Sequence, residues 1–186
     1  MDSKGSTLTF AAMGIVINIV FGTAVKMLHL PLLYLDTIGT IFTSVILGPW
    51  YGAMTGGLTN IIQGVLTNPK NIPFALVNIT IGVIVGFIAK KYKFDFKTAI
   101  ITGSILAVVA PLIGTPIAVW IYGGITGDGN DIIFTWLVQS GKTIFTAAFI
   151  PRITGNILDK LVSCALVALL INRIPNRMIK GKGTNA

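Results

Sequence analysis

The chain has 186 residues, 53% of them hydrophobic and only 11% charged, with a mean hydropathy of +0.83. A soluble domain carries about 25% charged residues, so these proportions exclude a water-coated globular fold and indicate an integral membrane protein, with room for about six spans of ~20 residues. The net charge of +8 reads as loop asymmetry under the positive-inside rule rather than as a nucleic-acid footprint; all six acidic residues are Asp, and the single cysteine, Cys164, excludes an intrachain disulfide or a Cys-rich metal site.

Apolar runs bounded by breakers predict an all-α bundle of six transmembrane helices, a single unit over residues 1–186. The first run covers Leu8 to Val25 and is read as a retained span rather than a signal peptide. The second runs from Tyr34 to Leu47, the third from Tyr51 to Leu66 and the fourth from Pro73 to Ala89. The fifth covers Thr98 to Tyr122, with Pro111 and Pro116 as expected kinks. The sixth covers Ile153 to Ile174. Between the last two lies an outer loop, 123–152, whose apolar stretch is interrupted by Gln139, Gly141 and Lys142. It is read as carrying an interfacial helix, with a seventh span as the alternative.

Charge orients this set. Residues 90–97, KKYKFDFK, carry four lysines against one aspartate, and the tail carries Arg173, Arg177, Lys180 and Lys182. With six spans the N-terminus, this loop and the tail share one side, and positive-inside makes it the cytoplasm.

Residues four apart share a helix face. The third span reads Gly48, Gly52, Gly56, Asn60, Gly64 at that spacing; the fourth reads Asn78, Gly82, Gly86; the first reads Gly14, Asn18, Gly22. The second reads Asp36, Thr40, Ser44 and the sixth Asn156, Lys160, Cys164, Ala168. Small residues on such faces let helix backbones approach closely. The polar members are different, because an unsatisfied polar group in lipid costs several kcal/mol. Asp36, Asn60, Asn78, Asn156, Asp159 and Lys160 all fall in the middle or outer half of the bilayer, which suggests an outward-facing pocket; interhelical hydrogen bonding is the other reading. Asp36 either pairs with Lys160 across that pocket or caps a helix near water. Trp120, Tyr122 and Trp136 lie near the outer boundary, as an aromatic belt or as stacking partners for a flat ligand.

No carboxylate chain for a proton relay, no HExxH, no GxSxG and no Cys/His metal cluster occurs. Ser140 to Thr143 spell SGKT, but a phosphate loop needs a glycine where Trp136 stands. Neither an enzyme nor an ATPase is expected, and neither a cofactor nor a metal.

The segment YLDTIGTIFTSVILGPWYGAMTGGLTN, Tyr34 to Asn60, with its Gly-Pro turn before a Gly-rich helix, resembles the S components of energy-coupling factor (ECF) transporters. TGNILDKLVSCALVALL, Thr154 to Leu170, resembles the last helix of that family. The resemblance implies high-affinity binding of a vitamin or vitamin precursor from outside the cell and ATP-driven uptake with a membrane T component and two cytoplasmic ATPases. It implies a ligand site at Asn60, Gln63, Asn78, Trp120, Tyr122, Asn156, Asp159 and Lys160, joined by Asp36, and a small heteroaromatic ligand. It also implies T-component contact on the first helix. The strict Ala-x-x-x-Ala motif of many members is absent there; Thr7 with Ala11 and Gly14 with Asn18 stand in its place. The rival readings are a six-span ligand sensor and a stand-alone carrier or facilitator.

Overall fold

The computed structural model describes residues 3–127 and 129–174, and every regular element among them is helical. In chain order these are α1 (Ser3–Met27), α2 (Ile38–Leu47), α3 (Pro49–Leu66), a 3-10 segment (Pro69–Phe74), α4 (Ala75–Lys91), α5 (Phe96–Tyr122), α6 (Asp131–Gln139) and α7 (Ile144–Ile171). Among the described residues, four stretches are long and apolar enough to cross a membrane: Gly5–Met27, Pro69–Lys91, Phe96–Tyr122 and Ile144–Ile171.

Local chemistry sets several boundaries. Gly48, at φ +92, lies in a region that suits glycine and separates α2 from α3, while Pro49 occupies the first turn of α3, where its missing N–H costs nothing. Asp95 caps α5 by accepting the N–H of Thr98 at 2.8 Å. Thr143 caps α7 through the N–H of Thr146.

The last helix corrects the expected boundary. It begins at Ile144 rather than Ile153, so the first turns of α7 come out of the segment assigned to the outer loop. The rest of that segment holds α6, whose nine residues rise about 14 Å, too short for a seventh span. Phe134 and Leu137 of α6 pack on Ala147 and Ala148 of α7. The tail residues Arg177, Lys180 and Lys182 lie outside the described residues.

Small residues bring the helices together. A Cβ on Gly39 of α2 would strike the backbone of Gly14 in α1, one on Gly82 of α4 would meet Gly52 in α3, and one on Gly86 would meet Pro49. Every residue of α2 is buried, and its apolar side chains join Ile81, Val85, Leu106, Cys164 and Val167 in the main core. Contact at this distance between backbones replaces the hydrophobic drive that lipid cannot supply.

A cavity beneath the segment joining α1 and α2

Asn18 of α1 is fully buried and ties three helices. Its Oδ1 accepts the N–H groups of Gly39 (2.7 Å) and Thr40 (3.3 Å), and its Nδ2 donates to the hydroxyls of Thr40 (2.8 Å) and Thr59 (3.1 Å). Asn18 and Gly14, expected on the partner-facing side of the first helix, both face α2 and α3 and are buried there. Thr7 and Ala11 are half-buried, with Ala11 against the core.

Residues 28–37 join α1 to α2 without regular structure, and His29, Leu32 and Leu35 take positive φ of 50°, 63° and 50°. Such backbone needs partners for its N–H groups when it runs inside a membrane protein. Asp159 of α7 supplies them, its Oδ1 accepting from Tyr34 N (2.9 Å) and Leu35 N (2.7 Å). Asn130 accepts from Leu32 N at 3.2 Å and donates to the Tyr34 hydroxyl at 2.8 Å.

Lys160, 2% exposed, is the ion-pair centre. Its Nζ lies 2.6 Å from Asp159 Oδ2 and 3.7 Å from Asp36 Oδ1, and donates to Thr37 Oγ1 at 3.0 Å. Asp36 thus pairs with Lys160, as one of the two sequence readings had it, but loosely.

These groups border a cavity of about 510 Å³. Six of the expected ligand residues line it: Asp36, Asn60, Gln63, Asn78, Asn156 and Lys160. Asn78 donates to Asn60 Oδ1 at 2.5 Å, and its own buried Oδ1 has no partner among the described residues. Asn156 donates to the Arg152 carbonyl.

Three of the expected residues are placed otherwise. Trp120 is 87% exposed and does not line the cavity. Tyr122 is not on the wall either; its hydroxyl donates to Asn71 Oδ1 at 2.8 Å, and Asn71 is the lining residue. Asp159 is wholly buried, with both oxygens committed to the 28–37 segment and to Lys160. Among the lining residues that were not anticipated are Tyr34 and Arg152. Arg152 lies four before Asn156 on the same stripe, and a span begun at Ile153 cuts it off by one residue.

A family model described as ECF transporter, substrate-specific component, matches residues 6–171. No curated protein and no solved structure matches the chain.

Proposed function

The chain belongs to the substrate-specific components of ECF transporters, and from that premise we propose that it binds a vitamin or vitamin precursor, a small heteroaromatic compound, in the cavity beneath residues 28–37. It is a multi-span plasma-membrane protein and a transporter subunit, not an enzyme. The observation that carries the reading is the cavity itself. Polar side chains from the 28–37 segment, α3, α4 and α7 converge on one half-open cavity of a size that suits a vitamin-like molecule. Tyr34 and Phe74 supply aromatic surface on its wall.

The topology in this proposal is six crossings, by α1, α2, α3, α4, α5 and α7, with both termini in the cytoplasm. A ten-residue α2 rises about 15 Å, half the hydrocarbon core, so the 28–37 segment completes that crossing. The lysines at 90, 91, 93 and 97 join α4 to α5 at one end of the bundle. Lys26, His29, Asn71 and Thr126, at the opposite helix ends, line the cavity. Positive-inside then opens the cavity to the outside. Thr126, Gly127 and Gly129, from the connection between α5 and α6, also line the cavity.

Uptake then requires a T component and two ATPases. The half-buried Thr7 and Ala11 of α1, flanked by the exposed Leu8 and Met13, form the surface proposed for the T component. The test is reconstitution in vesicles with and without that module, loaded from outside with a mixture of B-group vitamins and their precursors. ATP-dependent accumulation of one compound only when the module is present is the expected result. Accumulation by the chain alone would make it a stand-alone carrier, and binding with no transport in either case would favour a sensor.

A further inference from the structure

Two charged ends face each other along α7. Arg152, Asn156 and Lys160 recur every four residues on one face, which separates the outer two by about 12 Å along the helix axis. All three line the cavity.

At the first end, Arg152 is only 7% exposed. Its guanidinium donates to the carbonyls of Ala148 (2.9 Å) and Gly124 (3.2 Å) and to Thr126 Oγ1 (3.1 Å). All three acceptors are neutral, and no carboxylate among the described residues pairs with it. A guanidinium carries five N–H donors, so these three bonds leave donor capacity toward the cavity. A buried cation whose direct acceptors among the described residues are all neutral bears a desolvation penalty that an arriving anion would offset.

At the second end the balance is reversed. One ammonium, Lys160, serves two carboxylates. Asp159 holds it at 2.6 Å, while Asp36 stands off at 3.7 Å with its side chain 37% exposed on the cavity wall. Counted by formal charge, two carboxylates against one ammonium, this end has one negative charge in excess. Apart from Lys26 and His29, the rest of the wall is neutral, with the amides of Asn156, Asn78 and Asn60 set among apolar residues such as Val77, Ile81 and Phe74. Lys26 and His29 also line the cavity, but from exposed positions where water and salt screen them.

Resting on the binding role proposed above, we propose that the ligand is amphoteric, with a carboxylate or phosphate at Arg152 and a cationic or protonatable nitrogen at Asp36. A neutral ligand would leave both ends uncompensated and a singly charged one would leave one, whereas a zwitterion of matching length answers both.

The test uses the full chain in detergent, incubated with the dialysable fraction of yeast extract, washed, and stripped for mass spectrometry. The expected compound carries both an acidic group and a basic nitrogen, and its formula tells carboxylate from phosphate. Esterifying its acid should weaken binding to the wild-type protein by about tenfold to a hundredfold, the scale of a lost hydrogen bond to a charged group. Arg152→Gln should bind the acid and the ester equally, and Arg152→Lys should restore part of the preference. A retained compound lacking either charged group, or an ester bound as tightly as the acid by the wild type, overturns the amphoteric assignment and leaves the binding role standing. Failure of the wild type to retain any compound would instead remove the binding role, and this inference with it.

Discussion

Asp159 Oδ1 lies 2.7 Å from the backbone nitrogen of Leu35, joining α7 to the segment that covers the cavity across 124 positions of sequence. The same oxygen takes the N–H of Tyr34, and the other oxygen holds Lys160. One buried carboxylate therefore anchors an irregular stretch of backbone and fixes the cation beside it. Asp159→Ala should lower stability by about 3–5 kcal/mol, the usual cost of breaking one half of a buried pair. Thermal unfolding in detergent reads this directly. A loss below about 0.5 kcal/mol, the scale of an inconsequential surface change, would show that the segment holds its place without the anchor.

Close packing predicts a contrast between two glycines. Gly39→Ala would drive a methyl into the Gly14 backbone, where nothing flexible can yield, and should cost about 1–3 kcal/mol. Gly5→Ala, with open space around it on the same helix as Gly14, should be neutral or stabilise by about 0.5–1 kcal/mol through helix propensity. Unfolding temperatures of the two variants measured side by side check this. Equal effects would mean that the α1–α2 contact is looser than drawn.

Ligand binding should divide the polar residues from the tryptophan. Asn78→Leu removes the bond to Asn60 and a lining amide, and should weaken ligand affinity by about tenfold or more. Trp120→Ala, on an 87% exposed side chain off the cavity wall, should change it by no more than about twofold. Titration calorimetry with the captured compound decides. The reverse ranking would move the site to the outer flank of α5.

Acid should release one helix cap. The Thr98 backbone N–H, bonded to Asp95, holds that exposed carboxyl below the usual carboxylate range. A lowered folded-state value means that the cap's contribution is complete above the unfolded value of about 3.9 and is lost as pH falls through the folded one. The unfolding-temperature difference between wild type and Asp95→Ala should therefore be present at neutral pH and vanish in that acid window. A difference that persists there would assign it to helix propensity rather than to the charged cap.

What could be read from the residues alone was whatever repeats locally. Membrane character follows from composition, because too few charges exist to coat a surface. The helical faces follow from four-residue spacing, and so did six of the cavity residues, because a polar group at membrane depth must face protein rather than lipid. The Gly-Pro turn between α2 and α3 was legible for the same local reason: proline suits a first helical turn, and glycine suits the bend before it. Only the tertiary structure decided direction and partnership. Trp120 and Asn156 both lie on apolar helices near the same end, yet one points out and the other in, because α5 and α7 are set against each other where Gly103 of α5 meets Lys160 and Leu161 of α7. Asn18 looked like part of an open face until Gly39, Thr40 and Thr59 closed over it. Asp159 and Asp36 are the same residue type beside the same lysine. Which one anchors backbone and which one faces the cavity depends on where the 28–37 segment runs, and that path is fixed by hydrogen bonds to residues about a hundred positions away or more, beyond the reach of any local pattern.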